Sequence, residues 1–74
     1  MNITELRYLV AIKKWGSVSA AAKQLYAAQP NISKALKNLE GEYGLRIFER
    51  SSTGMIPTEQ GRRFIEQAAR VLEE

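Results

Sequence analysis

Apolar residues in the first half of the chain recur at intervals of three and four, the spacing of helices that each bury one face. This pattern predicts three helices. Asn2 and Glu5 form a capping box at the start of the first helix, and Gly16 is a suitable stop for it. The three buried stripes are Ile3, Leu6, Leu9 and Val10, then Val18, Ala21, Ala22 and Leu25, and finally Ile32, Ala35, Leu36, Leu39 and Tyr43.

A short turn over residues 26–28 joins the second and third predicted helices. Ser17 is a suitable N-cap for the second helix. Pro30 fits the first turn of the third helix, because proline lacks the N–H that would have no partner there. Small alanines on the second helix let the third cross it closely, as a helix-turn-helix over about residues 18–37 requires.

Beyond Gly44 the pattern changes to two short strands and a connecting turn. Leu45–Arg50 and Met55–Pro57 are the predicted strands, and they predict a hairpin, or wing, over about residues 45–57. The turn-forming residues between them are Ser51, Ser52, Thr53 and Gly54.

A fourth helix is predicted from Thr58, a suitable N-cap, to the end of the chain. Its apolar positions form two neighbouring seams. We expect one seam to cover the core of the domain and the other to bind a second chain. The first seam consists of Gly61, Ile65, Ala68 and Leu72, and the second of Phe64, Ala68 and Val71.

These elements predict a mainly α-helical fold with two parts. Residues 1–57 form a winged helix-turn-helix of three helices and a short two-stranded wing, and residues 58–74 form a linker or dimerisation helix. A chain of 74 residues holds one modest core, and a domain of this size commonly gains stability from a partner.

The composition limits the available chemistry. The chain has no cysteine, histidine or aspartate, which excludes disulfides, the usual zinc sites and the usual pairs of nucleophile and base. We therefore expect neither catalysis nor a cofactor. The N-terminus has no signal-peptide pattern and the longest uninterrupted apolar run is Tyr8 to Ile12, so that a cytoplasmic location without a membrane partner is expected.

The net charge of +3 is unevenly distributed. Residues 1–40 contain six basic side chains and two acidic ones, whereas residues 58–74 contain three basic and four acidic ones. The third predicted helix has a polar and basic outer face that holds no acidic residue before Glu40. This face consists of Pro30, Asn31, Lys34, Lys37 and Asn38, with Ser33 at its edge.

A helix with such a face fits the major groove of DNA, where the base edges present distinguishable donors and acceptors. Gln29 and Asn31 both donate and accept hydrogen bonds, as a bidentate contact to adenine requires. Ser33 is less selective, and Lys34 reaches either guanine or a phosphate. Lys37, one turn later, is better placed for the phosphate backbone.

The chain resembles the N-terminal domain of LysR-type transcriptional regulators. The resemblance covers nearly the whole chain, including the opening LRYLVAI, and it rests on several pieces in the order and spacing of the family. Several matched pieces together are strong evidence for the resemblance, whereas any one of them would be weak evidence. The pieces are AAA-K-QL, QP-N-IS-KALKNLE, LRIFER and PTEQG, within the run SVSAAAKQLYAAQPNISKALKNLEGEYGLRIFERSSTGMIPTEQG.

The resemblance implies sequence-specific binding of double-stranded operator DNA by a homodimer. It implies that the fourth helix pairs with its copy, for which we name the first seam, Gly61, Ile65, Ala68 and Leu72. Full-length members carry a larger effector-binding domain, absent here, through which any small-molecule effector would act. The expected base-reading residues are Gln29, Pro30, Asn31, Ser33 and Lys34, and the expected backbone or wing contacts are Ser17, Ser19, Lys37, Arg50, Ser52 and Thr53.

Two features depart from the family pattern, one at Ala28 and one at the hairpin tip. Ala28 stands where the family commonly has Ser or Thr, so that the third helix loses its side-chain cap, a change that typically costs ~1 kcal/mol. The hairpin tip, often basic in the family, is Ser51-Ser52-Thr53-Gly54.

Other interpretations of the same residues stay open at this point. A winged helix also serves as a protein-interaction or dimerisation module without specific DNA readout. Lys34 and Lys37 have the alternative of a solvated helix face, and Arg50 that of an ion pair with Glu49 or Glu42. Three aromatic residues suggest stacking on single-stranded bases, but their spacing favours core or boundary positions. They are Trp15, Tyr26 and Tyr43.

Overall fold

The computed structural model describes residues 2–73, so that residues 1 and 74, the outermost of the predicted ranges, lie outside the described residues. Four helices and a two-stranded antiparallel sheet follow one another, which confirms the predicted winged helix-turn-helix with a fourth helix. The elements are α1 (Ile3–Trp15), α2 (Val18–Leu25), α3 (Gln29–Tyr43), β1 (Phe48–Ser51), β2 (Gly54–Pro57) and α4 (Glu59–Leu72).

The helix ends lie where the capping residues predicted them. The Asn2 side chain accepts a hydrogen bond from the Glu5 N–H (2.8 Å), and the Glu5 carboxylate accepts one from the Asn2 N–H (3.2 Å). Gly16 ends α1 in the left-handed region at φ 88°, and the Ser17 hydroxyl accepts the Ala20 N–H at 3.0 Å to start α2. Because each cap satisfies backbone groups that the helix leaves unpaired, these short helices have defined ends.

The core is built around α1, which packs against the other three helices. Each helix contributes most of the apolar face that its spacing predicts, and Ile47, just before the wing, and Phe48, the first residue of β1, add two further side chains. The largest fully buried side chains are Leu9, Ile12, Ile32, Leu39, Ile47 and Phe48.

No helix within residues 2–73 is long and apolar enough to cross a membrane.

Exposure corrects four of the predicted positions. Ile3, Leu25 and Tyr43 were expected on buried stripes, but they are 47%, 40% and 41% exposed, because each is the first or last residue of its helix. Tyr26 is 98% exposed, so that a core or boundary position is wrong for it. It caps α2 in the left-handed region at φ 54°, in the turn, where no neighbouring element covers it.

The first strand begins three residues later than predicted, at Phe48 rather than Leu45. The backbone of Ile47 is bonded elsewhere: its N–H donates to the Glu40 carboxylate at 2.8 Å, and its carbonyl accepts the Thr58 N–H at 3.0 Å. Since these groups already have partners on α3 and at the start of α4, they are not available to a neighbouring strand. The sheet therefore pairs Phe48 with Pro57 and Ser51 with Gly54.

The first seam of α4, predicted from the sequence to be the dimerisation contact, is largely buried within the chain itself. Gly61, Ile65 and Ala68 are buried against the chain's own core, and Leu72 packs partly against it. A side chain that is buried within its own domain is not available to a second chain, so that naming this seam as the dimerisation contact was wrong. The division of the chain at residue 58 stays a prediction.

Candidate nucleic-acid interface

The outer face of α3 presents the predicted base-reading residues to solvent. Gln29, Pro30, Asn31 and Lys34 are exposed and Ser33 is half-buried, all within the first two turns of the helix. On the opposite face, Ile32 and Leu39 are fully buried, which fixes the rotation of α3 about its axis. The outward direction of the polar residues therefore follows from the packing of the apolar ones.

The start of α3 has no side-chain cap. Ala28 occupies the N-cap position with extended backbone, and no side chain accepts the first N–H groups of the helix, as the sequence predicted. Unpaired N–H groups at a helix N-terminus carry partial positive charge and favour an anion. Because Pro30 has no N–H and the Asn31 N–H donates to the Ala28 carbonyl at 3.0 Å, the Gln29 N–H is the group of the first turn that can meet a phosphate.

A groove runs between α3 and the wing and joins two sets of predicted contact residues. Ser33 and Lys37 line it from α3, and Arg50 lines it from β1. Arg46 lines the same groove and was missed at the level of sequence, because a single basic residue within a predicted strand carries no signal of its own. The acidic residue in the groove, Glu40, accepts the hydrogen bond from Ile47, so that its carboxylate is held toward the backbone.

The basic side chains of this surface differ from two arginines of α4 in that they have no acidic partner within the part of the chain that the structure describes. On α4, Arg62 and Arg63 lie 3.9 and 3.5 Å from glutamates one turn away. Lys34, Lys37 and Arg50 are exposed and make no ion pair within the described residues 2–73. The alternative of an ion pair between Arg50 and Glu49 or Glu42 is therefore not realised, and the three cations are available to an external anion.

The wing holds the remaining predicted contacts and is attached to the helix-turn-helix. Ser52 and Thr53 are exposed at its tip, where the Thr53 N–H donates to the Ser51 hydroxyl at 3.2 Å. The Met55 N–H donates to the carbonyl of Gly16 at 2.8 Å, in the turn between α1 and α2. This bond fixes the position of the wing relative to the helices.

Ser17 and Ser19 lie at the start of α2. Ser19 is exposed, whereas Ser17 is half-buried and its hydroxyl oxygen accepts the Ala20 N–H. Ser17 therefore acts first as an N-cap, and it keeps a hydroxyl proton that can be donated to a phosphate oxygen.

A second, apolar surface lies at the other end of α3 and is called here the α4 groove. It is lined by residues from α1, α3 and α4, including the second seam of α4. The rings of Tyr43 and Phe64 meet edge to face with their centroids 5.0 Å apart, and Val71 beside them is 60% exposed. The lining residues are Leu6, Tyr43, Phe64, Gln67, Ala68 and Val71.

Comparison with known proteins gives consistent matches to this architecture. Residues 3–62 match the family model described as bacterial regulatory helix-turn-helix protein, lysR family. The chain is 38% identical over 73 residues to the HTH-type transcriptional regulator TcbR of Pseudomonas sp. (strain P51), covering 99% of the chain and 25% of TcbR. The chain thus spans about a quarter of the length of the curated relatives it matches.

Two solved structures of CbnR are similar to the chain along almost its whole length. The complex of the CbnR DNA-binding domain with DNA superposes with a TM-score of 0.93 at 38% identity, covering 99% of the chain and 84% of that domain. Full-length CbnR with its target DNA gives a TM-score of 0.92 at 38% identity, covering 99% and 25% of the two chains. An identity of 38% over 99% of the chain means that the chain is similar to CbnR in sequence as well as in fold.

Proposed function

The chain belongs to the lysR family of bacterial regulatory helix-turn-helix proteins, and we propose that it binds double-stranded DNA sequence-specifically as a homodimer. The observation that carries this proposal is the continuous surface formed by the outer face of α3, the groove beside it and the wing. On that surface, Lys34, Lys37 and Arg50 are exposed cations next to the polar start of the helix. The similarity to a domain solved in complex with DNA supports it.

The proposed roles divide between base edges and backbone. Gln29 and Asn31 contact base edges in the major groove, and Pro30, Ser33 and Lys34 lie against the same bases. Lys37, Arg46 and Arg50 contact phosphates along the groove, and Ser52 and Thr53 approach the backbone or minor groove. Ser17 and Ser19 contact the backbone at the start of α2.

The homodimer is proposed to form through the α4 groove rather than through the buried seam of α4. Its aromatic and aliphatic lining suits an apolar interface core, and the exposed arginines and glutamates of α4 suit a polar rim. The pairing gives two copies of α3 in a fixed geometry, as two half-sites of an operator require.

We further propose that this activity takes place in the cytoplasm, where bacterial DNA lies. Any small-molecule effector is proposed to bind a domain outside these residues.

The alternative of a protein-interaction module without DNA readout is not favoured. It accounts for the fold but not for the exposed cations along α3 and β1. The matched relatives are transcriptional regulators, which agrees with the expectation that the chain is not an enzyme.

Replacement of Lys37 tests the proposed backbone contact. Lys37→Ala is expected to weaken binding to operator and to random duplex by a similar factor, because a phosphate contact carries no sequence information. The dependence of log Kd on log salt should flatten by about 0.9 for each phosphate that is no longer neutralised, or about 1.8 for a dimer. Titration at several salt concentrations measures both quantities. The matched control is Lys13→Ala on α1, and an unchanged slope for Lys37→Ala contradicts the proposed role.

Replacement of Val71 tests the proposed dimer contact. Val71→Glu places a charge on the α4 groove of each protomer, and we expect it to weaken the homodimer at least tenfold, since burying an unpaired charge is costly. Val71 is 60% exposed, so that the fold of the protomer should survive. Sedimentation equilibrium measures the dimer constant, with Ala69→Glu as a control, because Ala69 is exposed on α4 outside the α4 groove and the change also introduces one carboxylate. A dimer of unchanged strength in Val71→Glu rules out this interface.

A further inference from the structure

A third surface feature remains outside both the DNA-binding surface and the α4 groove. It is a shallow depression between α1, the end of α2 and the end of α4, called here the Trp15 patch. Its apolar members are partly exposed, with Trp15 at 42% and Leu25 at 40%. The residues that define the patch are Arg7, Val10, Lys14, Trp15, Leu25 and Leu72.

The exposed apolar members of the patch are not explained by the core or by the proposed DNA contacts. No residue of the Trp15 patch lines the groove between α3 and the wing, and none lines the α4 groove. Trp15 follows two lysines at the end of α1, and Leu25 is the last residue of α2. Clustered exposed apolar side chains of this kind mark interaction surfaces more often than isolated ones.

The charge around the patch has one sign. Lys14 lines it and Lys13 lines the adjoining groove together with Lys14, while no glutamate among residues 2–73 lines the patch itself. The Lys14 ammonium lies 5.2 Å from the centre of the Trp15 ring, so that one cation sits on the indole face. Glu66, which lines the adjoining groove together with Lys13 and Lys14, lies 3.9 Å from Arg62 and thus has a partner of its own on α4.

We propose that the Trp15 patch docks an acidic amphipathic helix of another protein. Leucine or phenylalanine side chains of such a helix cover Trp15 and Leu25, and its carboxylates pair with Lys13 and Lys14 at the rim. A DNA duplex offers anions to the same cations but no apolar ridge for Trp15 and Leu25. Tryptophan is among the side chains that contribute most to protein interfaces when a partner covers them.

The patch has a built-in reporter, because Trp15 is the only tryptophan of the chain. The probe is a synthetic helical peptide with leucine and phenylalanine on one face and glutamate on the other. Its addition is expected to shift Trp15 emission to shorter wavelength in a saturable way, since the indole leaves water. A peptide with the same apolar face and lysine in place of glutamate should produce no such shift.

Two variants keep the reporter and alter the patch. Leu25→Ser and Lys14→Ala are each expected to weaken peptide binding about tenfold, while operator affinity stays at that of the unaltered chain. Lys37→Ala should show the reverse, with weaker DNA binding and unchanged peptide binding, so that the two sites fail independently. Far-ultraviolet circular dichroism verifies the fold of each variant.

Four outcomes would overturn the proposal. The first is an absence of any change in Trp15 emission at millimolar acidic peptide, and the second is equal binding of the lysine peptide. The third is a shift of Trp15 emission caused by operator DNA alone, which would assign the patch to the DNA interface. The fourth is a shift on dilution through the dimerisation range, which would show that a second copy covers the patch.

Discussion

Gly61→Ala is expected to destabilise the protein by about 2–3 kcal/mol, although alanine is the better helix former. A methyl group at position 61 would overlap the carbonyl oxygen of Ile47 and lie 2.8 Å from its Cα, both of them backbone atoms. Backbone cannot move aside as a flexible side chain can, so that α4 would have to shift away from the segment before the wing. The same shift would disturb the bond between Thr58 and Ile47.

Thermal unfolding at fixed protein concentration measures this effect. The expected destabilisation lowers the Tm by roughly 10–20 °C for a domain of this size. The matched control is Gly41→Ala on α3, where an added methyl group meets nothing within 4 Å. There we expect a gain of about 0.5–1 kcal/mol, because only the conformational cost of glycine changes. Equal behaviour of the two variants would contradict the close approach of α4 to Ile47.

Asn31→Ala is expected to reduce discrimination between operator and random DNA, with a loss of roughly 5- to 150-fold in their affinity ratio. Asn31 is exposed on the third position of α3, and its carboxamide can donate to and accept from one adenine. Removing a bidentate pair of hydrogen bonds costs about 1–3 kcal/mol on the correct base and little on others. Gln29→Ala should behave in the same way, because its side chain has the same two groups.

Titrations against operator and scrambled duplexes at one salt concentration measure the ratio. Gln60→Ala provides the control, since Gln60 is exposed in the first turn of α4, outside the proposed DNA-binding surface. If Asn31→Ala weakens both duplexes by the same factor, Asn31 contacts backbone, and the base-reading role assigned to it is wrong.

The helix ends were predictable because each depends on residues adjacent in the sequence. Asn2, Ser17 and Thr58 cap helices with side chains that reach only three residues along the chain. Gly16 and Gly44 end helices through their own backbone conformation. Local chemistry of this kind needs no knowledge of the tertiary fold.

The start of the wing was not predictable in the same way. Leu45 to Ile47 have the composition of a strand, but the hydrogen bonds of Ile47 go to Glu40 and Thr58, seven and eleven residues away. These hydrogen-bond partners can be identified only when the positions of α3 and α4 on either side of the segment are known. Tertiary context thus decided between strand and irregular structure.

The choice between the two seams of α4 also needed the structure. Both seams have helical spacing, and Ala68 belongs to both. Gly61 decided the outcome, because its lack of a side chain lets the buried seam approach the backbone of Ile47. From the sequence alone, a glycine at this position is equally compatible with close contact to the α4 helix of a second chain. The prediction accordingly assigned this seam to dimerisation.

The candidate DNA-binding surface could be predicted residue by residue on α3 but not as a continuous surface. The polar face from Gln29 to Lys37 follows from helical periodicity, because the opposite face is apolar. The polar face is continuous with Arg46 and Arg50 because the hydrogen bond from Met55 to Gly16 attaches the wing to the helices. That bond joins distant parts of the chain. The individual DNA contacts of these residues stay predictions.

Selection of bound duplexes from a random DNA pool at near-physiological salt tests the central claim most directly. The chain is predicted to enrich two copies of one short sequence, related by two-fold symmetry and separated by a fixed spacing, because each α3 of a homodimer reads one half-site. An absence of enrichment, with dimers present in solution, would contradict sequence-specific DNA binding by these residues.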